Sequence, residues 1–169
     1  NLTKEISVLL DVDSRPAGSS PSVSPSPTAT FDEASKKTRD EKRLEDLADL
    51  KTAISAALKI ATSSSVLALC SSSPAPCSGS SNSLRPHVTD ADGRGWVKVD
   101  ISRQTAFPFI TLPSDPLNND NFFYQYKSDG INWEIDANLE SDTYKSKLTQ
   151  DKGNNDKLYE VGSKLDVIP

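Results

Sequence analysis

The spacing of apolar residues over residues 30–62 predicts one long helix. A capping box formed by Thr30 and Glu33 is expected to start the helix, which should end near Thr62. Its second half carries an apolar stripe at steps of three and four residues, made of Leu47, Leu50, Ile54, Leu58 and Ala61. Nearly every side chain in residues 36–46 is charged. We therefore expect this first half to project into solvent or towards a partner, while the second half docks on a sheet.

Alternating apolar and polar residues after the helix predict antiparallel strands. One strand covers residues 95–101 and places on one face Val97, Val99 and Ile101. Residues 122–127 and 131–139 flank Asp129-Gly130, a dipeptide typical of a tight hairpin turn. In the second of these strands a shared buried face is expected for Ile131, Trp133, Ile135, Ala137 and Leu139.

The remaining segments complete an α+β fold. A short helix is expected near residues 142–148 and a last strand near residues 158–161, whereas residues 70–82 resemble a Ser/Pro-rich loop and residues 107–116 an extended connection. The predicted fold is a long N-terminal helix packed across a three- to four-stranded antiparallel sheet.

Composition divides the chain into a short segment, a linker and one domain. Residues 14–29 are rich in Pro and Ser and predict an extended linker or stalk. The short segment before it, residues 1–13, alternates in part and is interpreted as a strand. Residues 30–169 then form one α+β domain, an ordinary size for a single hydrophobic core.

Charge and cysteine content narrow the classes of function. A net charge of -5 argues against a main role in binding nucleic acid, and no apolar run reaches the roughly 20 residues of a membrane span. Cys70 and Cys77 are interpreted as a local disulfide, which points to an extracellular, oxidising compartment. Two free thiols in a loop would leave the same pattern.

Candidate metal ligands occur just before the first predicted strand. Asp90 and Asp92, followed by a glycine, resemble the start of a calcium loop, and residues 151–156 contain further oxygen ligands. The same residue types are ordinary in turns. Calcium is the only cofactor that the sequence suggests, and on this pattern alone it is the weaker of the two readings.

No residue pattern predicts catalysis. His87 is the only histidine, and no nucleophile motif accompanies it, so we interpret it as a surface residue. Glu134 and Asp136 lie on the polar side of a predicted strand and are expected to be solvated.

Several stretches follow one another in the order seen in small pilin-like proteins of bacteria. They are residues 39–54 (RDEKRLEDLADLKTAI), 92–99 (DGRGWVKV), 112–116 (LPSDP), 123–130 (FYQYKSDG), 133–140 (WEIDANLE) and 159–162 (YEVG). With these stretches the chain resembles the type IV pilin and type II secretion pseudopilin superfamily, whose subunits have an N-terminal helix followed by an antiparallel sheet.

The resemblance implies a non-enzymatic structural subunit of an extracellular filament, or of a secretion or adhesion apparatus, at the bacterial surface. It implies self-association or contact with other pilin-like subunits, with interface candidates Arg39, Lys42, Arg43 and Phe123. Pilins contact the membrane through an apolar helix half, and here a Pro/Ser stalk stands in that place. The alternative is a stalked cell-surface adhesion module that uses the same fold without polymerising.

Overall fold

The computed structural model describes residues 27–60, 77–103 and 110–169, and within the helix it describes the side chains of residues 32–59. The predicted segment 1–13, the linker up to residue 26 and Cys70 lie outside the described residues. Within the described ranges, no helix combines the length and the apolar character that crossing a bilayer requires.

The first element is a long helix, α1, which spans Pro27–Ile60. It begins before the predicted capping box, because proline in the first turn has a φ already suited to a helix and needs no N–H partner there. Thr30 therefore lies inside the helix, and the predicted linker is shorter than residues 14–29. Glu33 Oε1 instead accepts a hydrogen bond from the backbone N–H of Asp142 at 2.8 Å. The predicted capping box is wrong because Thr30 is not at the start of the helix and Glu33 has another partner.

The apolar stripe of α1 is confirmed in its second half. Its predicted members Leu47, Leu50 and Ile54 are fully buried, and Leu58 packs at the edge of the same core. Ala53 and Ala57 are buried beside them, while the predicted member Ala61 lies outside the described residues. The first half differs from the prediction of a solvated segment, since Asp40, Arg43 and Asp46 are also buried. These charged side chains are buried because each finds an oppositely charged or hydrogen-bonding partner.

Four strands form one antiparallel sheet in the order β1-β2-β3-β4. They are β1 Cys77–Ser80, β2 Gln125–Ser128, β3 Trp133–Ala137 and β4 Tyr159–Gly162. A 3₁₀ helix, Lys145–Thr149, precedes β4 close to the predicted short helix. The α+β class and the antiparallel sheet are thus confirmed. Strand β1 lies inside the predicted Ser/Pro loop, so that part of the prediction was wrong.

The β2-β3 hairpin is the most accurately predicted element. Gly130 has a φ of 92°, and Asp129 Oδ1 accepts hydrogen bonds from the backbone N–H groups of Ile131 and Asn132. Trp133, Ile135 and Ala137 are buried as predicted. Ile131 is 82% exposed, because it belongs to the turn and not to the strand.

The predicted strand at residues 95–101 is an irregular loop with a buried interior. Trp96, Val97, Val99 and Ile101 are all buried, so the loop has no consistently solvated side. The backbone N–H of Trp96 donates to Val88 O at 2.8 Å and that of Ile101 to Ala91 O at 2.9 Å. These contacts fold the segment onto itself, and only isolated bridges form.

The sheet has two faces with opposite chemistry. The register pairs Ile135 with both Tyr126 and Val161, and these apolar residues belong to the core shared with α1. Side chains alternate along a strand, so Glu134 and Asp136 lie on the other face. Asp136 stands directly opposite Glu160 of β4.

Candidate metal centre

Three carboxylates form a compact cluster on the sheet face opposite α1. Glu134 and Asp136 come from β3 and Glu160 from β4, and one oxygen from each lies within 4.8 Å of the others. Their exposed fractions are 0%, 2% and 2%. The sequence predicted solvated side chains for the first two, and that prediction is wrong.

Backbone amides hold the outer oxygens of the cluster. Glu134 Oε2 accepts hydrogen bonds from the N–H groups of Val167 at 2.8 Å and Ile168 at 2.6 Å. Glu160 Oε2 accepts one from Asn155 N–H at 3.1 Å. The glutamates therefore have fixed orientations, set by two separate chain segments.

The inner oxygens of the cluster receive no hydrogen bond from an N–H group or a hydroxyl. Glu134 Oε1, Glu160 Oε1 and both carboxylate oxygens of Asp136 are buried without such a donor, and only a protonated carboxyl can join Glu134 to Glu160. No ion pair among the described residues involves any of the three carboxylates. Buried polar atoms in proteins are nearly always satisfied, so four such atoms in one place are exceptional.

Two segments cover the cluster. Asp151 anchors the first, because its Oδ1 accepts from Gly153 N–H at 3.0 Å and its Oδ2 from Glu160 N–H at 2.9 Å. Gly153 packs so closely on Glu160 that an added Cβ would lie 1.7 Å from Oε2. The second is the C-terminal segment, tied to this loop by the side-chain amide of Asn154, which donates to Ile168 O at 3.0 Å.

Burial and mutual repulsion favour the protonated forms of Asp136 and Glu134. Burial raises the pKa of Asp136 to about 8, and the charge of Glu134 adds to the rise. Burial also raises the pKa of Glu134 to about 7; the backbone N–H groups of Ile168 and Val167 oppose this rise, while a hydrogen bond with Glu160 and its charge add to it. A hard cation would relieve the same repulsion. The arrangement can therefore hold protons or an oxygen-coordinated metal ion.

The sequence-predicted calcium ligands are elsewhere and are already paired. Asp90 Oδ2 lies 2.9 Å from Arg94 Nη2 and 2.9 Å from His87 Nδ1. Asp92 Oδ2 lies 2.8 Å from Arg94 Nε. The backbone N–H of Arg94, which donates to Asp92 Oδ1, holds the pKa of Asp92 below its usual value, and the guanidinium contact adds to this lowering. Both carboxylates serve a surface turn closed by Arg94, and neither belongs to the buried cluster.

A separate buried ionic network fastens α1 to the rest of the described domain, residues 77–103 and 110–169, which we call the head. Arg43 is fully buried and makes a bidentate contact with Asp115, with Nε–Oδ2 and Nη2–Oδ1 distances of 2.6 and 3.0 Å. Its Nη1 donates to Asp40 at 2.8 Å and to Glu140 at 2.5 Å. Burial lowers the pKa of Arg43, but these hydrogen bonds outweigh it and the net pKa is raised. Arg43 is therefore permanently charged.

The other predicted interface residues have different environments. Arg39 makes a bidentate contact with Glu140, and Lys42 is 55% exposed beside Asp46. Arg43 is inaccessible, so it acts inside the domain and not at a surface. Phe123 is half-buried and lines a groove of about 460 Å³ with Arg85, Arg94 and Lys98. Cys77 is disulfide-bonded, while its predicted pairing with Cys70 involves a residue outside the described ranges and stays a prediction.

One signal in the sequence pointed to the cluster. Residues 134, 136 and 160 are all acidic at alternate or paired strand positions, which would place like charges side by side once β3 and β4 pair. The pairing of these strands was not predicted, so the convergence of the three carboxylates was missed.

No protein-family profile, curated protein or solved structure matches this chain.

Proposed function

We propose that this chain is a non-enzymatic pilin-like or pseudopilin-like structural subunit of an extracellular filament, or of a secretion or adhesion apparatus. The observation that carries the proposal is the convergence of separate resemblance stretches on one buried network. Arg43 lies in residues 39–54, Asp115 in residues 112–116 and Glu140 in residues 133–140, and all three meet in direct contacts.

The network gives a mechanical reason for these stretches to occur together. Asp40 accepts hydrogen bonds from the backbone N–H groups of Glu140 and Ser141, so α1 holds the chain where it leaves β3. The Phe122 ring lies 4.9 Å from the Arg43 guanidinium carbon and covers it. A helix fixed in this way transmits force between the head and whatever lies at its N-terminal end, as a filament subunit requires.

The length of α1 supports the same role. The helix starts at Pro27, and among its described side chains, which begin at residue 32, the first buried one is Asp40. At 1.5 Å per residue this N-terminal stretch is about 20 Å long. Among its described side chains, Asp32, Ala34, Lys37 and Thr38 are exposed, which leaves this side of the stretch accessible to neighbouring subunits.

The test is where the chain is found on the cells that produce it. Immunogold electron microscopy of those cells should show label in regular rows along filaments or at discrete assembly sites. The charge reversal Lys37→Glu, at an exposed position of this N-terminal stretch, should disrupt the rows, and Lys51→Glu, at an exposed position of α1 with the same change of charge, should not. Label scattered evenly, together with a monomer of the intact chain in light scattering, would contradict the proposal.

The groove favours a second candidate, the stalked surface-binding module. Its cationic lining of Arg85, Arg94 and Lys98 contrasts with the acidic chain as a whole. Burial and the nearby Arg85 charge lower the pKa of Lys98, which marks a concentration of positive charge. Retention of the intact chain on dextran sulfate that is lost in Lys98→Ala but kept in Lys51→Ala would support this module; equal retention would contradict it.

A further inference from the structure

We propose that Glu134, Asp136 and Glu160 bind one divalent oxygen-preferring cation, best fitted by calcium, which fastens the C-terminal segment and the 151–155 loop to the sheet. The proposal is independent of any role in a filament. It begins from the compact cluster of buried carboxylates. The second, independent observation is Asp136, whose two carboxylate oxygens are buried in the cluster with no hydrogen-bond partner.

The two oxygens of each glutamate have different surroundings, and this difference argues for an ion at the centre of the cluster. Backbone N–H groups satisfy one oxygen of Glu134 and one of Glu160, and these bonds aim the second oxygen of each side chain inward. Asp136 has no donor on either oxygen. A cluster built only to hold protons would not require both glutamates to be oriented by separate segments.

The ligand set of the cluster favours calcium over magnesium. Calcium takes about 6–8 oxygen ligands in a flexible geometry, whereas magnesium demands a near-ideal octahedron and usually keeps several water ligands. The selected oxygens of the cluster lie within 4.8 Å of one another, close enough to share one ion, and all three ligands are buried carboxylates. The two oxygens of Asp136 suit the irregular, partly bidentate geometry that calcium accepts and magnesium resists.

Cation binding would change what the cluster does for the fold. Asp136 and Glu160 are directly opposed across β3 and β4, where two like charges destabilise a sheet. A divalent ion converts that repulsion into a bridge. Since Glu134 also holds the amides of Val167 and Ile168, the ion would hold the C-terminal segment through its ligand.

The first experiment uses the full chain freed of metal with a chelator and dialysed. Calorimetric titration with calcium should give one site per chain, and calcium at about 100 times its dissociation constant should raise the melting temperature by about 5–10 °C. Magnesium should act more weakly. Asp136→Asn should abolish the heat and the shift, while Asp92→Asn, the carboxylate paired with Arg94, should leave both unchanged. Absence of any calcium response, or equal responses in wild type and Asp136→Asn, overturns the proposal.

A measurement on the wild-type chain keeps the test decisive if Asp136→Asn fails to fold. Calcium should slow hydrogen exchange at the amides of Val167, Ile168 and Asn155, which contact the ligands. The Arg94 amide, which donates to Asp92 Oδ1, is the control. Slowing at Arg94 alone, or at none of these amides, overturns the proposal.

Discussion

At the residue scale, Arg43 shows how one side chain can hold two parts of a fold together. It is buried among Asp40, Asp115 and Glu140 and contacts all three carboxylates. Asp40 and Asp115 depend on its guanidinium for charge compensation, whereas Glu140 also contacts Arg39. An ion network of this kind contributes little net stability compared with apolar packing, but its disruption leaves charges buried and unpaired.

Arg43→Met should therefore lower the free energy of unfolding by about 3–5 kcal/mol, because it leaves the buried carboxylates of Asp40 and Asp115 without their cation. Urea denaturation measures the loss. Lys51→Met, at an exposed position of α1, should lower it by no more than about 1 kcal/mol. Similar losses in the two variants would show that Arg43 does not hold the network.

The buried carboxylates predict an unusual pH dependence in the metal-free chain. Asp136 has its pKa raised from 3.8 to about 8, so the native state keeps a proton that the unfolded chain releases. Stability must then fall as the pH rises from about 4 to about 8. The charged groups facing Asp136 are Glu134, Glu160 and Asp151, and Lys127 on β2 stands opposite Glu134.

In chelator, melting temperatures measured from pH 5 to pH 8 should decline, and Asp136→Asn should flatten the decline because its amide does not titrate. Glu45→Gln, an exposed acid on α1, should keep the wild-type slope. A slope that is unchanged in Asp136→Asn would show that Asp136 titrates near its ordinary value.

At the scale of elements, the sequence predicted what local pattern determines. The α1 stripe, the Asp129-Gly130 hairpin and β4 follow from residue spacing and turn chemistry. Strand β1 could not be found in this way, because Ser78, Gly79 and Ser80 have low strand preference. It forms because it pairs with β2, a contact that no local pattern encodes.

The loop of residues 88–101 and the acidic cluster escaped prediction for a related reason. Val97, Val99 and Ile101 alternate as in a strand, but the contact that decides their structure is the backbone packing around Gly95. The cluster likewise depends on the register of β3 and β4. Residue types were therefore visible in the sequence, while the partners that determine their roles were not.

Gly130 in the β2-β3 turn and Gly79 in β1 have different surroundings, which predict different losses of stability on substitution by alanine. Gly130 has a φ of 92° and open space around it, whereas a Cβ on Gly79 would lie 2.3 Å from the backbone oxygen of Trp96. Gly130→Ala should cost about 1–2 kcal/mol through backbone strain alone. Gly79→Ala should cost more, since β1 must move away from Trp96. Chemical denaturation that finds Gly130→Ala the more damaging would contradict this packing.

At the scale of the whole molecule, α1 is joined to the sheet by two kinds of contact along its length. Leu47, Leu50 and Ile54 pack in the apolar core, while Asp40 and Arg43 make the ionic contacts nearer the N-terminal end. Apolar packing is insensitive to direction, but charge-assisted hydrogen bonds fix orientation. The ionic end thus determines the angle at which the helix leaves the head.

This division predicts that the two halves of α1 can be uncoupled. In Arg43→Met, amide hydrogen exchange should accelerate more in residues 33–46 than in residues 47–57, because only the first half loses its attachment. The matched change Leu50→Ala removes core packing and should accelerate exchange across both halves and the sheet together. Uniform acceleration in Arg43→Met would instead mean that the helix and sheet unfold only as one unit. In that case a force applied to the N-terminal end of α1 would reach the whole head without loosening the helix first.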